Sequence, residues 1–301
     1  MRGKPLAVHD RPAASVLTLV RHRQEHLNAL IAGLSRQTRK DIELIIAYMQ
    51  PEPPQVPAGL PFPVKLVHAP GEKLPLAAAR NRAAGMAQAD ALIFLDVDCI
   101  PSPCLVQSYL EQLALSGRCL LGEVRYLPGT LGPDGEIRAS FSELAAKAVQ
   151  HPARPALPEA GWVKEVDARA LWGLSFALTG SQYHAAGGMD EEYVGYGGEE
   201  TDFAERLAAS GVGLGWCCNA MALHQHHPVC SPPLDKFDDI IHNASRFYRK
   251  WGSWCMEYWL GHFVDQGLIE WSLKTDQIVV RRRPSPVEID AHLQPPEVAY
   301  A

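Results

Sequence analysis

The tightest constraint on the fold is the run Ala91-Leu92-Ile93-Phe94-Leu95-Asp96-Val97-Asp98-Cys99-Ile100-Pro101. Apolar residues lead straight into two carboxylates, and a proline ends the run. So short and uniformly apolar a segment, bounded by Asp90 and Pro101, predicts a strand buried on both faces of a sheet. Side chains alternate along a strand, so Asp96 and Asp98 are expected on one side, one step apart. Adjacent carboxylates at a buried strand end repel unless a positive charge sits between them. A divalent cation with oxygen ligands, its shell completed by a diphosphate, meets that need. On this tripeptide alone, a pair of turn-forming aspartates is an equal account.

The flanking sequence predicts strands alternating with helices. Ala14 to Val20 reads as a first strand, and Leu27, Leu30, Ile31 and Leu34 recur at helical spacing after Arg21-His22-Arg23. Asp41 to Ala47 and Val64 to His68 read as further strands, separated by the Pro-rich loop Pro51 to Pro63. Pro75 opens an Ala-rich helix to Gln88 that carries Arg80, Asn81 and Arg82, since a first-turn proline loses no hydrogen bond. This alternation implies an α/β fold with a mostly parallel sheet and ligands beyond the carboxyl ends of its strands. A helix around Leu105 to Leu113 and a strand from Leu120 to Tyr126 follow. Pro128 to Gly161 reads as a mobile excursion with one weak helix, Ser140 to Val149. Leu171 to Thr179 predicts a strand, and Ser181 caps the short helix that Gly187-Gly188 ends.

Composition narrows the class. With 34 acidic and 28 basic residues the chain has no electrostatic case for a nucleic-acid partner. The N-terminus lacks the apolar core of a signal peptide, and no apolar stretch reaches spanning length, so neither leader nor transmembrane segment is expected. The seven cysteines lack CxxC spacing, so neither a disulfide framework nor a zinc site is indicated. A reducing, cytoplasmic compartment is expected, with the inner membrane face as a peripheral location.

Two later stretches carry chemistry. In Tyr193-Val194-Gly195-Tyr196-Gly197-Gly198-Glu199-Glu200-Thr201-Asp202-Phe203, glycines give way to a helix with Glu199 and Glu200 in its first turn. Acidic residues there complement the helix dipole, and by itself the stretch favours that plain capping role. The run His224-Gln225-His226-His227 follows strand-like Met221 to Leu223; metal or phosphate contact and a structural role account for it equally. Beyond it, amphipathic patterns near Phe237 to Trp251 and Trp254 to Phe263 predict a helical C-terminal extension, 231–301. Trp251, Trp254, Trp259 and Trp271 are expected in its core.

Together these residues resemble the metal-dependent glycosyltransferases of the GT-A fold, a Rossmann-like sheet flanked by helices. The segment "ARNRAA...ALIFLDVDCIP" (79–101) resembles family 2 of that group. The segment "GLSFALTGSQYHAAGGMDEEYVGYGGEETDFAERL" (173–207) resembles the acceptor-side segment of the galactosyltransferases and N-acetylgalactosaminyltransferases. The likeness covers about residues 14 to 230, and three motifs in order are far more specific than any one. It implies a catalytic domain over 1–230, with a nucleotide-sugar half at about 14–101 and an acceptor half at about 115–230.

By this resemblance Asp96 and Asp98 form the DxD pair; Asp98 with His224 ligates Mn²⁺ or Mg²⁺, His226 being the second choice, and Asp96 reaches the ribose or the same metal. Arg80, Asn81, Asp96 and Arg21 are implied on the donor side. Glu200 is implied as the base that takes the acceptor proton, with Glu199 at the place of an acceptor-sugar contact and as the alternative that shares the base role. Tyr196, Gly197, Gly198, Asp202 and Trp172 are implied on the acceptor side, Asp202 bracing the loop. The place of the family's nucleobase-gripping Asp pair reads Ala47-Tyr48-Met49-Gln50, and Glu replaces Asp at 200. The implied activity is transfer of a hexosyl or N-acetylhexosaminyl group from a UDP-sugar to a carbohydrate or other hydroxyl acceptor, with inversion. A non-catalytic nucleotide-sugar or carbohydrate-binding protein of the same fold is the alternative. A sugar nucleotidyltransferase fits less well, because Val20 is followed by Arg21-His22-Arg23-Gln24 with no glycine-rich phosphate loop.

Overall fold

Every residue of Ala14–Val20 (β1) is buried, and β1 lies inside a ten-stranded mixed sheet in a computed structural model that describes residues 11–129 and 139–299. Chain order around it is α1 (Gln24–Ser35), β2 (Ile42–Tyr48), β3 (Val64–His68), α2 (Leu76–Gly85), β4 (Ala91–Leu95), β5 (Cys99–Pro101), α3 (Leu105–Ser116) and β6 (Cys119–Tyr126). Then come α4 (Phe141–Ala145), β7 (Val149–Gln150), β8 (Trp162–Glu165), β9 (Ser175–Thr179), α5 (Gly180–Ala185), α6 (Glu199–Ala209) and β10 (Leu214–His224). The C-terminal part holds α7 (Phe237–Trp251), α8 (Glu257–Asp265), a small ladder of β11 (Ile269–Glu270) with β12 (Val279–Val280), and α9 (Pro286–Ala291). The main path through the sheet is β3-β2-β1-β4-β9-β6-β10-β5. Strands β3, β2, β1 and β4 run parallel, as the alternation predicted, while β9 enters antiparallel between β4 and β6.

Helices cover both faces, which is why the strands are apolar on both sides. On one face Leu27, Leu30 and Leu34 of α1 and Val106 and Tyr109 of α3 pack with Val16 and Ile93. On the other, Ala79 and Ala83 of α2, Tyr183 of α5, and Phe203 and Leu207 of α6 pack with Leu17 and Phe94. Each fully buried leucine stabilises the fold by about 1.5–3 kcal/mol. The cross-strand rings Phe94 and Phe176 stack at 4.6 Å and fix the β4–β9 register. Residues 230–269 form an apolar cluster of their own, including Phe237, Ile240, Trp254, Leu260 and Phe263. Trp259 and Trp271 are only partly buried against it. No helix of the described residues is long and apolar enough to cross a membrane.

The aspartate run is not one strand. β4 stops at Leu95, Asp96 to Asp98 turn, and β5 departs to the far edge of the sheet to pair with β10. The turn is closed by the Cys99 N–H donating to the Asp96 carbonyl at 2.9 Å. Strand alternation therefore does not govern Asp96 and Asp98, and they meet different partners. The α5 helix is capped by Thr179, whose hydroxyl accepts from the Gln182 N–H, rather than by Ser181. Of the excursion expected over 128–161, residues 130–138 lie outside the described residues. In the remainder α4 carries a Ser140–Glu143 capping box and β7 pairs with the end of β6.

Candidate active site

Register brings the first group together. In the β10–β5 ladder His224 stands opposite Cys99, so its ring reaches the preceding residue, Asp98. The Gln225 N–H donates to the Asp98 carbonyl at 2.6 Å, which turns the chain after β10 back over that aspartate. His224 Nε2 then lies 3.5 Å from Asp98 Oδ1, and His227 Nε2 lies 3.6 Å from Asp98 Oδ2. One ligand atom from each of Asp98, His224 and His227 falls within 4.8 Å of the others. Burial lowers both imidazoles, His227 to about 4, so at neutral pH both rings are unprotonated. Burial alone would raise Asp98, but the facing His224, Arg23 and His227 hold it below the usual carboxylate range.

These residues fit a divalent metal. Two neutral imidazoles and a carboxylate suit Mn²⁺ and its neighbours in the first transition row. The buried His224 Nδ1 has no hydrogen-bond partner among the described residues. Of the two histidines expected there, His224 lies at Asp98 and His226 does not; His227 accompanies it instead. The His226 ring lies against Gly129, and its carbonyl is 3.2 Å from His26 Nε2. Arg23, which no motif in the sequence singles out, ion-pairs with Asp98 from the loop between β1 and α1. Arg21, expected beside the donor, is partly buried at the end of β1.

The second group is organised by Arg80. Its guanidinium is 3% exposed and approaches Glu200 Oε1 at 2.8 Å, Asp96 Oδ1 at 3.4 Å and Glu199 Oε1 at 3.5 Å. Arg80, expected on the donor side, thus sits buried among the three carboxylates. Gly173 makes this packing possible: its φ is +77° and a Cβ there would stand 2.7 Å from Arg80 Nη2 and collide with Glu200 Oε1. Burial raises Asp96, to about 7, and Asp98 and Glu200 push the same way against Arg80. Glu199 is 3% exposed and Glu200 14% exposed, so the second carboxylate is the one nearer solvent. Burial, then the charge of Glu200, push Glu199 up to about 8.

The glycine turn enters α6 through Gly198, with φ +90°. Asn243 of α7 holds it, its amide donating to the carbonyls of Val194, Tyr196 and Gly197 at 3.2, 3.3 and 2.8 Å. Tyr196 is 37% exposed at the tip. Asp202 is fully buried, salt-bridged to Lys250 at 2.7 Å and accepting from Trp251 Nε1 at 2.9 Å. It braces α6 against α7 and is closed off from any acceptor. Asn81 is likewise committed: its amide donates to the Met189 carbonyl and Glu191, and its oxygen accepts from Tyr183 and the Met189 N–H. Trp172 is partly exposed, stacked under the Arg154 guanidinium at 3.3 Å.

Known proteins carry the same two segments. The family model described as glycosyl transferase family 2 matches residues 15–126, and the one described as the N-terminal domain of galactosyltransferase matches 159–228. Validoxylamine A glucosyltransferase of Streptomyces hygroscopicus subsp. jinggangensis (strain 5008) is 27% identical over 195 residues, 58% of this chain and 44% of its own. The chain therefore spans less than half the length of that relative. Among solved structures, GalNAc-T7 with UDP, GalNAc and Mn²⁺ has TM-score 0.53 at 14% identity, covering 73% of this chain and 44% of its own. S. aureus TarS 1-349 has TM-score 0.50 at 12% identity, covering 77% of this chain and 64% of its own. Two segments that each match a glycosyltransferase family model thus meet at one set of carboxylates, on a sheet with the fold of these solved structures.

Proposed function

We propose that the protein transfers a sugar from a UDP-sugar to an acceptor hydroxyl with inversion, using a divalent cation. The observation that carries this reading is the Arg80 guanidinium joining Asp96, next to the Asp98–His224–His227 cluster, to Glu200 at the glycine turn. Donor-side and acceptor-side groups then share one centre. Glucose is the first donor sugar to test, since the relative's name specifies glucosyl transfer.

Asp98, His224 and His227 would hold Mn²⁺ or Mg²⁺, which when bound supplies neutralisation of the negative charge that grows on a leaving diphosphate. Asp96 orients the donor from the same turn. Glu200 accepts the proton of the acceptor hydroxyl as it attacks, from the face opposite the leaving group. Arg80 fixes the direction of the Glu200 carboxylate, and positioning of this kind contributes to rate independently of basicity. Glu199, nearly sealed from solvent, supports Glu200 and does not reach the acceptor. Tyr196 and Trp172 present partly exposed rings for the acceptor.

The test is Mn²⁺-dependent release of UDP from UDP-glucose, followed by transfer to sugar hydroxyls. Glu200→Gln is expected to lower transfer by about 10²–10⁴-fold. Full transfer by that variant, or no turnover of any nucleotide sugar by the wild type, overturns the reading.

A further inference from the structure

We infer that Trp259, from the C-terminal helices, forms with Tyr196 an aromatic wall of the acceptor subsite that stacks on the ring of a sugar-like acceptor. The inference rests on the transferase reading and deepens it by adding a residue outside both matched family segments, 15–126 and 159–228.

Tyr196 is a large side chain at a turn tip that keeps 37% of its surface in solvent. It stands four residues before Glu200, on the turn that enters α6 through Gly198. The Trp259 ring approaches Tyr196 with centroids 5.6 Å apart and planes tilted by 32°. Trp259 stays only partly buried, although the hydrophobic spacing of its helix would allow a core position.

The backbone is arranged to bring the two rings together. Gly197 has φ +89°, and a Cβ there would lie 2.6 Å from Met256 Sδ and 3.5 Å from Trp259 Cζ3. Met256, which precedes α8, is itself left-handed at φ 57°, a conformation that costs a residue with a side chain. Strain of this kind persists where the surrounding structure fixes it, and it clusters at ligand sites. The neighbouring α7 holds the same turn through Asn243. The extension thus both fixes the turn and adds a ring to it.

Two splayed aromatic rings beside carboxylates suit a saturated ring bearing hydroxyls. The C–H faces of such a ring meet the negative π faces, and its hydroxyls meet the polar groups at the edge. A flexible alcohol has no comparable face to stack.

The experiment compares wild type, W259A and W259F with methyl β-D-glucopyranoside and glycerol as acceptor probes, donor saturating. For W259A the KM of the glucopyranoside is expected to rise about ten-fold, that of glycerol to stay near wild type, and W259F to recover most of the loss. An unchanged glucopyranoside KM, or equal losses for both probes, overturns the inference. If the wild type turns over no nucleotide sugar, the transferase reading fails separately. Tryptophan fluorescence titrated with the same glucopyranoside then decides: quenching that W259A abolishes upholds the aromatic wall, and no quenching overturns it.

Discussion

The Arg80 guanidinium lies 2.8 Å from Glu200, a residue 120 positions later in the chain, and almost no water reaches it. Such a contact joins α2, which follows the third strand, to α6, which precedes the last long one. Removing the cation strands Asp96, Glu199 and Glu200 without their shared partner. Arg80→Ala is expected to cost about 3–5 kcal/mol of stability, because uncompensated buried charge is far more costly than the pair was worth. Arg80→Lys keeps the charge but loses the planar fork, so it is expected to recover stability more than transfer rate. Urea unfolding together with transfer assays separates the two effects, and equal recovery of both would remove the positioning role.

Gly173 offers a second way into the same contact. Gly173→Ala forces a side chain into a left-handed backbone, at about 1–2 kcal/mol, and drives its Cβ against Arg80 and Glu200. Transfer is expected to fall steeply while Mn²⁺ binding at Asp98, His224 and His227 is retained. Isothermal titration with Mn²⁺ alongside the transfer assay reads both quantities.

The histidine assignment gives a sharp contrast. His227→Ala is expected to weaken Mn²⁺ binding by about 10–100-fold or more, the scale seen even for residues that merely support metal ligands. His226→Ala is expected to leave that affinity near wild type, because its ring packs on Gly129 away from Asp98. The reverse ranking in a Mn²⁺ titration would restore His226 as the ligand. Chelation is expected to lower the melting temperature if the ion binds the folded chain alone.

Glu199 sets a pH dependence of stability. Burial and the charge of Glu200 raise it to about 8 in the folded chain, from an ordinary value of 4.5. Between those values the folded state keeps a proton that the unfolded chain has released, so stability falls as pH rises through the window. Glu199→Gln has no such proton to lose. The wild type is expected to lose stability relative to that variant by up to about 1.4 kcal/mol per pH unit across the window. Parallel unfolding profiles for the two proteins would rule out the buried proton.

Glu43 works in the opposite sense, far from the site. Its buried carboxylate accepts from Ser15 Oγ and the Gln88 N–H, both at 2.6 Å, and pairs with Lys65 at 2.7 Å. Burial opposes ionisation, but Lys65, Ser15 and Gln88 together lower the group below 4.5. Its stabilisation is therefore present above the unfolded value and lost as pH falls through the folded one. Glu43→Ala is expected to cost about 3 kcal/mol at neutral pH and much less in acid. Urea unfolding at the two pH values checks the difference.

The amino-acid sequence determined most of the helices and the parallel strands, because each of these is written in neighbouring residues. Val64–His68 and Phe237–Trp251 form as the pattern predicts, since apolar spacing fixes which face of a strand or helix is buried. It also supplied the residue types of the site, two aspartates, two glutamates and a histidine run. Tertiary structure decided how they are used. Asp96 and Asp98 diverge because β4 and β5 belong to separate parts of the sheet, and no alternation rule inside the tripeptide carries that. His227 rather than His226 comes to Asp98 because a hydrogen bond from the Gln225 N–H to the Asp98 carbonyl folds back the chain after the ladder. The partners that Asp202 braces against, Lys250 and Trp251, arrive from α7, far away in the chain. Each of these outcomes depends on register and packing between segments far apart in the chain, where local propensity has no purchase.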